Sequence, residues 1–293
     1  MAAPDAPFSD PFAQALYQSC LAELDAPKPG NVHRFAPGHG MEAAHFAAAA
    51  RAIAPLLIRR DIGVGERMFR AVEASWAATG CNTNLGIILL AAPLVEAAIA
   101  APSRSGLRTA VATVLDELTL TDTDWAFRAI ALASPGGLGE PPAHDVRKPA
   151  AIGLVDAMRL AAPHDMIARQ YATGFTDVLG FGVRRARWAQ RRWPNTPWAP
   201  ALAVYLGFLS RFPDSHVRRK HGDAPLAGVM AAGKRLDAAL KRTAVPDSVI
   251  PVMLAQDEIF KAAKINPGTS ADLTVASLLA FRLMDMMPPG RRT

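Results

Sequence analysis

A short basic segment at residues 27–34 reads Pro-Lys-Pro-Gly-Asn-Val-His-Arg. Its two prolines fix their own φ angles and keep the preceding residues extended, while the glycine allows a ligand to approach the backbone closely. A lysine ammonium and an arginine guanidinium on so stiff a segment suit phosphate oxygens. A helix-breaking turn with solvated charges accounts for the pattern equally well. The candidate binding residues here are Lys28, Gly30, Asn31, His33 and Arg34.

A second polar stretch, Gly-Cys-Asn-Thr-Asn-Leu-Gly at residues 80–86, leads into an apolar helical pattern. A helix start offers unpaired N–H groups and a partial positive charge, which together form an anion site. One capping side chain is enough for a helix, so Asn82, Thr83 and Asn84 supply more polar groups than capping needs. They either cap a buried helix or orient a ribose or phosphate group.

Residues 214–222 read Asp-Ser-His-Val-Arg-Arg-Lys-His-Gly. A solvated run of charges is the usual explanation for such a pattern. Histidines beside arginines also suit phosphate binding or proton transfer, which makes Arg219, Lys220 and His221 candidates. The two histidines lack the spacing of a helical zinc pair with a neighbouring glutamate, so we do not expect zinc.

Two further segments carry carboxylates. Residues 266–273 read Asn-Pro-Gly-Thr-Ser-Ala-Asp-Leu, where Asn266, Thr269, Ser270 and the turn amides are phosphate candidates. Asp272 either complements the helix dipole or binds a metal ion. Residues 136–139 form a glycine-rich loop without the Lys-Ser/Thr of a P-loop. Asp145 follows it, and Mg²⁺ usually takes one or two carboxylates plus substrate phosphates.

The rest of the chain predicts an all-α fold in a single domain over residues 1–293, with a subdomain seam near 193–200. Alanine and leucine dominate, and apolar residues recur three and four apart, which favours helices over strands. The predicted helices cover residues 11–24, 42–58, 65–78, 85–100, 106–118, 122–133, 151–160, 165–179, 197–211, 226–243, 247–260 and 270–286.

Composition limits the function classes. The 293 residues, 51% hydrophobic, contain no apolar run long enough for a transmembrane helix, and the first residues do not resemble a secretory signal. Two cysteines favour a reducing cytoplasm. The net charge of +6 is concentrated partly in five arginines at 184–192, interleaved with Trp188. We interpret them as a solvated helix face, or as a contact to a partner or polyphosphate. No nucleic-acid motif accompanies them, so we expect no nucleic acid and no membrane; a homodimer stays open.

The segments, taken in this order, resemble the triphosphoribosyl-dephospho-CoA synthase family from about residue 21 to residue 283. Pro-Lys-Pro-Gly-Asn-Val at 27–32 is similar to the family's Pro-Lys-Pro-Gly-Leu-Val. Ile-Gly-Val-Gly-Glu-Arg-Met at 62–68 resembles a second motif, and Asn82-Thr83 the start of a third. The segments at 214–222 and 267–273 resemble the last two, the final one being Pro-Gly-Thr-Ser-Ala-Asp-Leu.

The resemblance implies a transferase that takes ATP and 3′-dephospho-CoA, releases adenine and attaches the triphosphoribosyl unit to the acceptor's ribose 2′-hydroxyl. The product would be the precursor of the prosthetic group of citrate lyase or malonate decarboxylase. Lys28, Arg34, Arg219 and Lys220 are then the triphosphate candidates. Asp145, Asp272 and Glu66 are the candidates for Mg²⁺ or for the general base, and His33 joins them as a catalytic candidate.

The chain departs from the family pattern where the family has His-Lys, because Asn84 and Leu85 stand there. Gly-His-Gly-Met at 38–41 also lacks the acidic residue that the family has in the corresponding motif. The stretches at 136–140, 145–146 and 170–172 resemble a branch found in archaea and methylotrophic bacteria, which is associated with methanopterin and methanofuran. One alternative is therefore a different transfer or condensation on a phosphorylated small molecule in one-carbon carrier biosynthesis. Another is a non-catalytic helical protein that binds phosphorylated metabolites.

Overall fold

The structure is a computed structural model that describes residues 7–81, 83–101, 103–133 and 146–289. Within these ranges the chain forms helices and no β-strand, which confirms the predicted all-α class. The α-helices are α1 (Pro11–Leu24), α2 (Ala43–Leu57), α3 (Val64–Thr79), α4 (Leu85–Ala100), α5 (Leu107–Glu117), α6 (Leu120–Ala133), α7 (Leu154–Ala161), α8 (Met166–Ala172), α9 (Val183–Arg192), α10 (Ala199–Arg211), α11 (Ser215–His221), α12 (Leu226–Arg242), α13 (Ile250–Ala262) and α14 (Gly268–Met286).

The core is built around α4, α10 and α14, which are buried on most of their faces. A helix that is apolar all round belongs in the interior of a domain. The starts of α4 and α14 meet, because Gly86 lies against Asp272. Their ends also meet, since the Nε of Arg104 donates to the carbonyl oxygen of Met284 at 2.8 Å. The two central helices therefore run parallel, and the loops before them share one end of the molecule.

The helix predicted over residues 165–179 is wrong as a single element. α8 ends at Ala172, and Gly174 and Phe175 then adopt left-handed φ angles of 59° and 58°. A turn of π-helix, Asp177–Gly182, follows and leads directly into α9. A left-handed phenylalanine is costly, but Phe175 is fully buried, so tertiary packing overrides the local preference.

Two helices were not among the predicted ones. α9 carries the arginine cluster, and the short α11 carries the basic run at 215–221. Trp193, which follows α9, is buried, and its indole N–H donates to the Ala244 carbonyl oxygen at 3.1 Å. Arg185 bonds to Asp237 and to the Ala203 carbonyl oxygen. Arg185 and Trp193 therefore make internal contacts, whereas Arg184, Arg191 and Arg192 are exposed, as on a solvated helix face. The seam predicted near 193–200 stays a prediction.

No helix in the described part of the chain combines the length and the apolar character needed to cross a bilayer. Both cysteines, Cys20 in the core and the partly buried Cys81, are free thiols.

Candidate active site

The segment at residues 27–34 is fixed to the end of α1 by a buried ion pair. Lys28 is fully buried, and its ammonium group bonds to the Glu23 carboxylate and to the Oδ1 of Asn31, the latter at 3.0 Å. The sequence suggested that Lys28 binds phosphate. In the structure its charge is already matched by Glu23 and no part of its side chain is exposed, so Lys28 holds the loop in place.

A second anchor of the same loop is Asp257 on α13. One carboxylate oxygen accepts the Gly30 N–H at 2.8 Å, and the other lies 2.7 Å from the Lys261 ammonium and 3.3 Å from the His33 ring. Burial opposes ionisation of Asp257, but these three groups outweigh it and lower its pKa. Burial lowers the pKa of the His33 ring, although the neighbouring Asp257 carboxylate acts in the opposite direction.

Gly30 is a glycine for two reasons. Its φ angle of 82° lies in the left-handed region, and a Cβ atom there would stand 2.9 Å from the carbonyl oxygen of Ile265 and from Pro267. The loop thus packs tightly on the turn before α14. The amide of Asn31 joins the two segments as well, because its Nδ2 donates to the Oδ1 of Asn266 at 2.9 Å.

The start of α14 is capped by Asp214, which the sequence analysis did not single out. One of its oxygens accepts the N–H and the hydroxyl of Ser270, both at 2.8 Å. The other accepts the N–H groups of His216 and Val217 at the start of α11. Thr269 accepts from the His216 N–H at 3.1 Å. The predicted phosphate contacts of Ser270 are therefore occupied by a buried protein carboxylate that joins two helices, and the Thr269 hydroxyl oxygen accepts from the backbone of α11.

The N-cap residue of α4 is different, because it does not cap its helix. The amide of Asn84 makes no capping hydrogen bond and has no partner among the described residues, although Asn84 is only 2% exposed. Thr83, just before it, contacts the hydroxyl of Ser75 on α3 at 3.1 Å. A buried polar side chain left unpaired beside a helix start is an arrangement that suits a ligand.

Asp272, on the first turn of α14, faces the start of α4 at Gly86. Its carboxylate makes no hydrogen bond or ion pair with any residue that the structure describes. Protein atoms crowd around its carboxyl group although part of the residue is exposed. This burial, together with the carboxylates of Glu23 and Asp214, raises the pKa of Asp272 well above its usual value, while Arg219 acts in the opposite direction.

The basic residues of α11 lie at the edge of the same region. An Nη atom of Arg219 stands 3.8 Å from the carboxylate of Asp165, and Arg219 is near enough to influence Asp272. Lys220 is exposed, and so is His221, whose Nε2 lies 3.1 Å from the carbonyl oxygen of Lys264. These side chains are accessible to an anionic ligand, in contrast to Lys28.

Four sequence-predicted residues stand apart or cannot be placed. Arg34 is exposed and pairs with Asp25. Glu66 pairs with Arg70 near the start of α3, nine residues before Ser75, which is about 14 Å along the helix axis. Asn82 and Asp145 lie outside the described residues.

The chain matches the family CitG, ATP:dephospho-CoA triphosphoribosyl transferase, over residues 9–289. The chain belongs to this family. No curated protein is significantly similar to it in sequence. A crystal structure from Archaeoglobus fulgidus, provisionally assigned as a triphosphoribosyl-dephospho-CoA synthase, is similar with a TM-score of 0.60 at 22% sequence identity. That match covers 81% of this chain and 98% of the other, and at this identity it shows the fold alone.

Membership in the CitG family confirms the resemblance that the motifs indicated, and it makes the chain a member of a transferase family. The segments at 27–34, 80–86, 214–222 and 266–273 all lie within the matched residues. Direct contacts join three of them, the loop at 27–34, α11 and the turn before α14, and Gly86 brings the fourth against Asp272.

The contact between Gly86 and Asp272 gives a first prediction. A Cβ at position 86 would lie within 2.6 Å of the Asp272 carboxyl carbon, so Gly86→Ala must displace this side chain. We expect the variant to lose about 100-fold in kcat, the scale of a 1 Å misplacement at a reacting centre. Gly228→Ala, in the first turn of α12, is the matched control because nothing lies within 4 Å of the added methyl group. Equal activity of both variants would show that the position of Asp272 does not matter.

Proposed function

We propose that this protein moves the 5-triphosphoribosyl unit of ATP onto a ribose hydroxyl of dephospho-CoA and releases adenine. Membership in the CitG family over residues 9–289 supports the reaction class. The observation that carries the site is the Asp272 carboxylate, which has no partner among the described residues and lies against Gly86 at the start of α4.

The reaction breaks the bond between C1′ and the purine and develops positive charge on the ribose. An enzyme promotes such a step by fixing the triphosphate, by placing negative charge near the ribose and by receiving the acceptor's proton. The Asp272 carboxylate can place negative charge near the ribose, and it can also receive the acceptor's proton. The triphosphate can be fixed by three basic and at least partly exposed residues, Arg219, Lys220 and His221.

The buried loop at 27–34 serves as the frame of this site. The Glu23–Lys28 pair and the Asp257 anchor fix the loop, and Asn31 connects it to the turn before α14. A rigid frame keeps catalytic groups near their productive positions, which matters because small displacements cost large factors in rate. We therefore assign Lys28, Gly30, Asn31, His33 and Asn266 to positioning of the site.

Magnesium is the metal ion that this donor set suits. Mg²⁺ prefers carboxylate and phosphate oxygens and commonly takes one or two protein carboxylates. Asp272 meets this requirement with its one carboxylate, which makes no hydrogen bond or ion pair with any described residue and lies against Gly86 at the start of α4. No cluster of three histidine, cysteine or acidic ligands occurs in the described ranges, so phosphate oxygens would complete the coordination. Bound there, Mg²⁺ would neutralise charge on the triphosphate.

The test is adenine release. Purified protein is incubated with ATP, MgCl₂ and dephospho-CoA, and the products are followed by chromatography and mass spectrometry. We expect adenine and a dephospho-CoA adduct enlarged by one triphosphoribosyl unit, in equal amounts. Omission of dephospho-CoA should abolish adenine formation. An intact ATP pool after prolonged incubation with the folded protein would overturn the proposal and return the one-carbon carrier alternative to first place.

A further inference from the structure

The side chain of Asn84 is unusual among the buried amides. Asn31, Asn266 and Gln170 each have hydrogen-bond partners within the protein. In the described part of the chain Asn84 is the buried amide in which both the oxygen and the nitrogen lack a partner. A buried donor and acceptor left unpaired reduce the stability of the folded protein. A bound molecule that offers one acceptor and one donor would remove this cost.

We propose that the Asn84 amide recognises the adenine base of the nucleotide substrate. An asparagine amide pairs with adenine through two hydrogen bonds, since its N–H₂ donates to the purine N7 and its oxygen accepts from the 6-amino group. The inference rests on the proposed function only in taking an adenine nucleotide as the ligand. It adds the group of this chain that selects the base.

The surroundings of Asn84 place such a base next to the reacting centre. The residues that flank it in sequence, Thr83, Leu85 and Gly86, are partly exposed, so the amide lies just beneath the surface. Gly86 lies against Asp272, which the proposed function sets beside the ribose. A base held at position 84 therefore has its glycosidic bond near the carboxylate. A hydrogen bond donated to N7 also stabilises electron density that moves onto the purine as the bond breaks.

The experiment compares ATP with inosine triphosphate, which carries an oxygen in place of the 6-amino group. For the wild-type protein we expect kcat/KM to favour ATP by about 10- to 100-fold. This is the discrimination expected when one side chain forms two hydrogen bonds with a base. Asn84→Leu should bring this ratio close to one by lowering the value for ATP more than that for inosine triphosphate, which keeps the N7 acceptor but lacks the 6-amino donor. Asn195→Leu, at an exposed turn, is the control and should keep the wild-type ratio.

Folding of the variants is checked by melting without nucleotide. Because the amide of Asn84 makes no capping bond and has no hydrogen-bond partner in the described ranges, Asn84→Leu should melt no lower than wild type. Asn84→Ser, which keeps a capping side chain, provides a second variant with the same expected loss of selectivity. An unchanged ATP preference in both variants would overturn the proposal. So would an equal loss for both nucleotides, or a loss of selectivity against 2′-deoxy-ATP instead, because either result makes Asn84 a ribose or structural contact.

Failure of the inference and failure of the proposed function give different results. Equilibrium titration of the wild-type protein with each nucleotide measures base preference without any turnover. Tighter binding of ATP than of inosine triphosphate, removed by Asn84→Leu, would support base recognition even if no transfer occurred. Transfer from both nucleotides at equal rates would leave the proposed function intact and reject the role of Asn84.

Discussion

Asp272→Asn should reduce kcat for adenine release by at least about 100-fold, the usual contribution of a positioned acid, base or charged group. Asparagine keeps the shape of the side chain and removes its negative charge. Asp272 has no protein partner among the described residues and stands near the carboxylates of Glu23 and Asp214. Loss of its charge therefore removes repulsion and breaks no contact, so the melting temperature should not fall.

Asp285→Asn is the matched control for this prediction, since Asp285 lies on the same helix but is exposed and pairs only loosely with Arg104 at 3.7 Å. It should retain wild-type turnover. A magnesium titration adds a second readout. If Asp272 binds the metal ion, the residual activity of Asp272→Asn should need more Mg²⁺ than wild type. A wild-type kcat for Asp272→Asn would show that Asp272 takes no part in the reaction.

Lys28→Met should affect stability more than any other single change considered for this site. Glu23 would remain buried without its partner, and breaking a buried ion pair by removing one member costs about 3–5 kcal/mol. In a domain of this size each kcal/mol lowers the melting temperature by about 2–4 °C. Calorimetry should therefore show a fall of about 6–20 °C.

Two variants separate a role in stability from a role in substrate binding. Lys234→Met, an exposed lysine on α12, should melt like wild type. The double variant Glu23→Leu with Lys28→Met should regain much of the lost stability, because replacing both members of a buried pair is often neutral. A Lys28→Met protein that melts normally but fails to bind ATP would contradict the structural assignment and favour the phosphate contact that the sequence suggested.

Much of the fold follows from local patterns. The predicted helices at 11–24 and 85–100 coincide with α1 and α4, since an aspartate with a following proline begins the first and an apolar run fills the second. The break after α8 does not follow from local patterns. It depends on a left-handed, buried Phe175, and no residue preference predicts that conformation.

The candidate site, like the fold, could be predicted from the sequence only in part. Short motifs indicated which segments matter, because their residue types and spacing are unusual. They did not reveal the partners, which lie far away in the chain. Asp257 bonds to Gly30 across 227 positions, and Asp214 bonds to Ser270 across 56. Glu23, Asp214 and Asp257 look like ordinary acids in or beside helices, so only the folded structure identifies them as the groups that occupy the expected phosphate ligands.

A crystal structure with ATP and Mn²⁺ bound in the absence of acceptor tests the central claim most directly. Anomalous scattering would locate the metal ion independently of the nucleotide. We expect Mn²⁺ on the Asp272 carboxylate, the triphosphate beside Arg219 and the adenine edge on Asn84. Nucleotide and metal bound instead in the basic groove between α10 and α12, which Arg211 and Lys234 line, would contradict the account.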